Sequence, residues 1–190
     1  MPSRRPVNME EIAYEAMRKY GFNPHFPRSV MREVEALTGG NLPHGKKAGI
    51  VDLRRLLWSS IDNFDSEDLD QIEYCEEGKD GEIRIRVAIA DVDHFVPKGS
   101  HADRYAAHNG TSVYTGVVTF PMLPDHLSKD ISSLLPDEDR LAVVIDYTVL
   151  PDGSTRHGGV YRALVRNKAK LIYEVVGAWL EGETDVPASV

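Results

Sequence analysis

Five carboxylates crowd nine positions of the stretch SSIDNFDSEDLDQIEY, residues 59–74: Asp62, Asp65, Glu67, Asp68 and Asp70. Like charges a few ångströms apart repel each other. The segment is therefore either fully solvated or built to hold something positive. An EF-hand loop is the first chemistry to test, because Asp62 and Glu73 span twelve positions. It fails, since Phe64 stands where the third-position oxygen ligand belongs and Glu67 stands where the turn needs glycine. Zinc fails as well, with no histidine or cysteine at ligand spacing beside the cluster. What remains is a set of hard oxygen donors, which suits Mg²⁺ or Mn²⁺. In extended chain Asp68 and Asp70 project to one side while Leu69 faces the core, and Asp62 returns over them if residues 63–67 form a loop. Three carboxylates so placed are what divalent ions use in phosphoryl displacement. A solvated acidic loop is the competing reading.

The elements that would position this cluster can be read from periodicity and punctuation. Asn8 with Glu11 has capping-box character, Ile12, Ala13, Ala16, Met17 and Tyr20 follow at helical spacing, and Gly21 supplies a stop. A second helix is expected from near Pro27, with Val30, Val34 and Leu37 on one face, ending at Gly39–Gly40. GGNLPHGKKAG, residues 39–49, reads as a linker. Strands are expected at Gln71–Glu76 and Ile83–Val92, joined across GKDG, with Ile83, Ile85, Val87 and Ile89 forming the apolar face of the second. Ser100 and Asp103 open a short helix reaching about His108. Further strands are expected at Val113–Phe120, Leu141–Leu150 and, after a PDG turn, Thr155–Leu164, with a last helix from Asn167 or Lys168 to about Gly182.

A chain of 190 residues with 42% hydrophobic and 27% charged content can bury a sizeable core. The net charge of −8 argues against a protein whose whole surface coats nucleic acid, but not against a nucleic-acid enzyme with a local basic channel. Basic residues do cluster, at Lys46–Lys47, at Arg54–Arg55, and at Arg162, Arg166, Lys168 and Lys170, although a solvated charged face explains any one cluster equally. Cys75 is the single cysteine, which excludes an internal disulfide and suits a reducing compartment. MPSRRPVNMEE lacks the apolar core of a signal peptide, and no apolar run is long enough to span a bilayer. A soluble cytoplasmic protein is the expectation, with no membrane partner.

SIDNFDSEDLDQ resembles the acidic signature of the RNase II/RNB exoribonuclease family, an Ile-Asp followed by a loop and then Asp-x-Asp-Asp. VAIADVDHFVPKGSHAD, GTSVY at 110–114, FPMLPDHLS at 120–128, SLLPDEDRLA at 133–142 and KAKLIYEVVGAWLE at 168–181 continue the likeness in family order. The resemblance implies a Mg²⁺-dependent, hydrolytic 3′→5′ exoribonuclease that releases nucleoside 5′-monophosphates from single-stranded RNA. Asp62, Asp68 and Asp70 fall on three of the family's four metal-site carboxylates. Tyr114 falls on an aromatic that stacks on RNA bases, and Tyr173 on a tyrosine lining the catalytic cavity. For both tyrosines, core packing is the rival role. His94, His101 and His108 recur every seven residues without an evident ligand set.

Gln71 departs from the signature, offering a neutral carbonyl oxygen where the family has a fourth aspartate. The family's catalytic domain continues past the KLIYEVV segment, so residues 51–190 are expected to be part of that domain, lacking its arginine near the scissile phosphate. The expected architecture is α+β, a mixed and mostly antiparallel sheet with flanking helices. It would follow a helical appendage at 1–38 and a linker at 39–50. The competing functional readings are an RNA-binding remnant without turnover and an ion-binding structural domain unrelated to RNA.

Overall fold

The computed structural model describes residues 7–37 and 49–187. In chain order the elements are α1 (Met9–Lys19), α2 (Arg28–Glu35), β1 (Ile50–Asp52), β2 (Trp58–Asp62), β3 (Gln71–Glu77), β4 (Ile83–Ala90), α3 (His101–Asn109), β5 (Val113–Tyr114), β6 (Thr119–Phe120), β7 (Asp139–Val149), β8 (Thr155–Ile172) and α4 (Tyr173–Leu180). They divide into two compact units, Met1–Leu37 with Val96–Leu127, and Thr38–Phe95 with Ser128–Val190.

In the first unit, Asn8 caps α1 by accepting the Glu11 N–H at 3.2 Å, and Gly21 leaves the helix at φ 84°. Ala13 and Met17 pack on Phe120, and Tyr14 meets the Phe120 ring edge-on at 4.9 Å. Val30 and Val34 of α2 are buried as their spacing predicts, but the helix ends at Glu35. Gly39, Gly40, Lys46, Lys47 and most of the expected linker lie outside the described residues. Residues expected as an appendage are tied into this unit. Asn23 exchanges hydrogen bonds with Asn109, and Glu33 accepts the His101 and Ala102 N–H groups at the start of α3. Ser100 caps α3 through the Asp103 N–H, as predicted. The stretch expected as one strand at Val113–Phe120 is instead a small hairpin of β5 and β6. Thr115 Oγ1 both donates to the Val118 carbonyl and accepts the Val118 N–H, which turns the chain there.

The second unit is a sheet in the order β1-β8-β2-β3-β4-β7, with β7 also paired to β8, so the ladder closes on itself. All pairings are antiparallel except those of β1 and β2 with β8. The α+β class and the mostly antiparallel sheet stand as expected. The β3–β4 hairpin is also present, with Asp80 and Gly81 in left-handed conformation at its turn.

Two segments of this unit differ from what the sequence predicts. Asn167–Ile172 is strand, not helix, because burial there alternates and β2 lies alongside with Ile61 opposite Leu171. The helix begins only at Tyr173. In β4 the aliphatic face points outward, leaving Ile83 and Ile89 more than 40% exposed, while Arg86, Ala88 and Ala90 face inward. The enclosed space is filled by Trp58, Ile72, Val144 and Val165, which leaves room only for alanine at positions 88, 142 and 163. Arg86 enters because Asp146 and Glu76 meet its guanidinium at 3.2 and 3.1 Å and Tyr161 Oη completes the set on Asp146.

Candidate active site

Asp62 is the last residue of β2, and Asp68 and Asp70 lie in the connection that leads into β3. Leu69 between them is buried, so the two aspartates flank an anchor, as the alternation predicted. That anchor is held by the segment before β7. Ser133 Oγ accepts the Leu69 N–H at 2.9 Å and donates to the Glu67 carbonyl at 2.7 Å, while the Leu134 N–H donates to the Leu69 carbonyl at 2.9 Å. One residue further on, the Ala90 N–H donates to the Asp70 carbonyl at 2.9 Å. The loop over the cluster is fixed from β8. Lys170 Nζ donates to the Phe64 and Ser66 carbonyls at 2.9 and 2.6 Å. Asp62 Oδ1 accepts from the Asn63 N–H and the Ser66 hydroxyl, so its orientation is set before any ligand arrives.

The carboxylates sense one another. Burial pushes the Asp70 carboxyl above its usual range, and the charges of Asp68 and Asp62 push it further. Among the described residues no three His, Cys, Asp or Glu side chains close into a ready metal cage. The set nevertheless suits a divalent ion chemically. It consists of mutually repelling oxygen donors beside a lysine whose ammonium is already engaged by two carbonyls. Gln71, the first residue of β3 and the neighbour of Asp70 in sequence, is exposed.

Tyr173 opens α4 and is 55% exposed, so it is not a core residue. With Ile61, Val176 and Leu180 it lines a groove of about 410 Å³, whose polar groups are Gln71 and Glu73. Burial raises the Glu73 carboxyl above its ordinary range. Tyr114, in the first unit, is 70% exposed on β5 and likewise not core. The histidines at sevenfold spacing do not assemble: His108 binds the Gly21 carbonyl, His101 lies beside Arg104, and His94 packs on Phe95. Three arginines of the basic clusters, Arg54, Arg162 and Arg166, are paired. Arg54 and Arg166 both hold Asp139, and Arg162 bridges Asp91 and Asp93. Ser133, Asn167 and Lys170 organise the site without having been singled out for that role. Ser133 and Lys170 lie in the SLLPDEDRLA and KAKLIYEVV stretches, Lys170 also in a basic cluster, and Asn167 just precedes the second stretch; their function depends on partners about 33 to 107 residues away in sequence.

The model of the RNB domain matches residues 50–190, nearly three quarters of the chain. The chain belongs to the RNB domain family. Ribonuclease R of Vibrio parahaemolyticus is 37% identical over 171 residues, covering 90% of this chain and 20% of that protein. Ribonuclease R of Escherichia coli K12 is 38% identical over 171 residues, covering 90% and 21%. The chain thus spans about a fifth of the length of these relatives. Mycoplasma genitalium RNase R, solved in complex with ribose-methylated single-stranded RNA, superposes with a TM-score of 0.83 at 28% identity, over 93% of this chain and 27% of that one. Yeast Ssd1, a pseudonuclease, has a TM-score of 0.64 at 15% identity over 78% of this chain and 19% of its own, a likeness of fold alone. The RNB-type sheet is therefore the frame on which Asp62, Asp68 and Asp70 are displayed. Among the described residues no helix is long and apolar enough to cross a membrane.

Proposed function

We propose that this RNB-family chain carries the catalytic carboxylates of an exoribonuclease that hydrolyses single-stranded RNA from its 3′ end. The observation that carries the reading is the grouping of Asp62, Asp68 and Asp70 at the end of β2 and in its connection to β3, close enough for two of them to raise the third. In the reaction a water oxygen attacks the last phosphodiester, the bond from phosphorus to the 3′ oxygen breaks, and a nucleoside 5′-monophosphate leaves. The shortened RNA keeps a 3′ hydroxyl. Mg²⁺ or Mn²⁺, held by Asp62, Asp68, Asp70 and the Gln71 amide oxygen, would supply positive charge against the charge developing on the phosphate. Asp62 is oriented for this by Ser66 and Asn63, and Asp70 by the pinned Leu69. Tyr173 and Tyr114 each offer an exposed ring on which a base can stack whatever its identity. A cytoplasmic setting, expected from the lone cysteine, fits RNA turnover.

The test is a 5′-labelled single-stranded RNA incubated with the chain or with Asp70→Asn, in Mg²⁺ or in EDTA. Shortening from the 3′ end that both EDTA and the substitution abolish supports the reading. Absence of cleavage by a folded chain overturns it and favours RNA binding without turnover. Gln71 in place of a carboxylate, on a fold that a pseudonuclease also adopts, makes that the second reading. Gln71→Asp in the same assay tells whether the amide limits turnover.

A further inference from the structure

Strand β8 changes face part-way along. On β2, Trp58, Ser60 and Asp62 share one side of the strand, while Ile61 lies on the other with α4. On β8, Ala163 and Val165 belong to the core around Trp58. Asn167 continues that side, buried with its amide on Ser60. Plain alternation would keep residues 169 and 171 there too. Instead Ala169 and Leu171 pack under Val176 and Trp179 of α4. Lys170, opposite Ser60, takes the side of Asp62. The switch occurs at a β-bulge. Trp58 is opposite Asn167 and Ser59 is opposite Ala169, which leaves Lys168 unmatched in the β2 ladder.

Asn167 closes that bulge. Its Oδ1 accepts the Ala169 N–H at 3.1 Å, and its Nδ2 donates to Ser60 Oγ at 3.1 Å and to the Leu134 carbonyl at 3.0 Å. Its own carbonyl accepts the Asp137 N–H at 2.9 Å. A side-chain amide in a residue only 1% exposed is costly unless both of its ends are satisfied. Here both are, and an apolar residue at this position would leave the Ala169 N–H unpaired inside the bulge. What the bulge delivers is Lys170. Its ammonium grips the Phe64 and Ser66 carbonyls, and the Ser66 hydroxyl in turn donates to Asp62 Oδ1. With β8 one residue out of phase, Lys170 would point under α4, and the loop over the aspartates would lose its hold.

We infer that Asn167 is a positioning residue: it holds the β-bulge that turns Lys170 toward the carboxylates, and through Lys170 and Ser66 it sets the orientation of Asp62 for a divalent ion. The inference rests on the metal-dependent reading of the site and deepens it. Neither Asn167 nor Lys170 needs to touch the ion or the RNA. Groups that orient a metal ligand from behind are worth about 10–100-fold in metal affinity.

The experiment is Mn²⁺ binding to the RNA-free chain, read from the loss of the free-ion signal in electron paramagnetic resonance, so that no turnover is involved. Asn167→Ala and Lys170→Met are each expected to weaken Mn²⁺ binding about tenfold. The double variant is expected to be no weaker than the single ones, because a change at Asn167 matters only where Lys170 is present to be misplaced. Val144→Ala, a core change away from the site, is expected to leave the affinity unchanged, which separates positioning from general loss of stability. Asn167→Ser, whose hydroxyl can still accept the Ala169 N–H, carries the same cycle if the alanine variant does not fold. It is expected to lose affinity only where Lys170 is present. Wild-type affinity in Lys170→Met or in the folded Asn167 variant overturns the inference and leaves the metal-dependent reading standing. Losses that multiply to about a hundredfold in the double variant do the same, since the two residues then act independently. Absence of Mn²⁺ binding by the wild-type chain overturns both.

Discussion

Asp62 and Ile172 are partners across the parallel β2–β8 ladder, so the aspartate at the end of one strand lies beside the residue that launches α4 from the other. Tyr173, the next residue, is thereby delivered to the side of the acidic cluster although 111 positions separate it from Asp62 in the sequence. A parallel pairing of this kind needs a long crossover and leaves no local trace. It is the relationship on which the proposed site depends.

Replacing Asp70 with asparagine should stabilise the metal-free chain while abolishing cleavage. The carboxyl is raised by burial and by Asp68 and Asp62, so the folded chain binds its proton more tightly than the unfolded chain does. Stability is then greatest below the ordinary value of 3.8 and falls as pH rises through the raised value. Thermal melts in EDTA should show Asp70→Asn melting about 2 °C higher at pH 7, with the advantage disappearing near pH 3. A melting point equal to or below that of the wild type at pH 7 would refute the strain assigned to this residue.

Divalent ions should reverse that order. An ion that binds the folded carboxylates stabilises the wild type by mass action and has less to hold in the asparagine variant. Titrating MgCl₂ or MnCl₂ during melting should therefore raise the wild-type midpoint selectively. Equal shifts in both proteins would show that the ion acts elsewhere.

Ser133→Ala removes the group that takes the Leu69 N–H and gives a hydrogen bond to the Glu67 carbonyl. Ser133 is buried, so both groups lose their partner without gaining water, at a cost of about 1–3 kcal/mol. Urea unfolding checks the stability change, and RNA shortening by the variant should fall as Asp68 and Asp70 lose their anchor. Wild-type cleavage in a destabilised variant would separate the clamp from catalysis.

Asp146→Ala should be the most damaging single change away from the acidic cluster. It leaves Arg86, 8% exposed, and Tyr161 without their shared acceptor, and losing one partner of a buried pair costs about 3–5 kcal/mol. The Arg84 guanidinium holds the Asp146 carboxyl below its ordinary value, so the stability it contributes is present above 3.8 and lost as pH falls through the lowered value. Urea midpoints between pH 7 and pH 2 should converge for wild type and variant. Parallel curves across that range would show the pair to be worth little.

Tyr173→Ala should weaken binding of single-stranded RNA by about 1–3 kcal/mol, with Tyr173→Trp restoring it, if a base stacks there. Anisotropy in EDTA reads this directly. An unchanged Kd for the alanine variant would leave Tyr173 as a helix-start residue only.

Local chemistry was legible from the chain because it is written in neighbouring residues. The caps at Asn8 and Ser100, the β3–β4 hairpin, the flanking of Leu69 by Asp68 and Asp70, and the order of the RNB-type motifs all depend on spacings of a few positions. What tertiary structure alone decided depends on which strands lie side by side. Closing the ladder put Trp58 in the middle, so β4 turned its alanines and Arg86 inward and its isoleucines outward, against the hydrophobic pattern. The same closure kept Asn167–Ile172 extended beside β2, where lysine, alanine and leucine would otherwise favour a helix. Ser133 and Lys170 acquire their roles only from that neighbourhood. A side chain's partner across a sheet is fixed by register between distant segments, and no residue type announces the register it will meet.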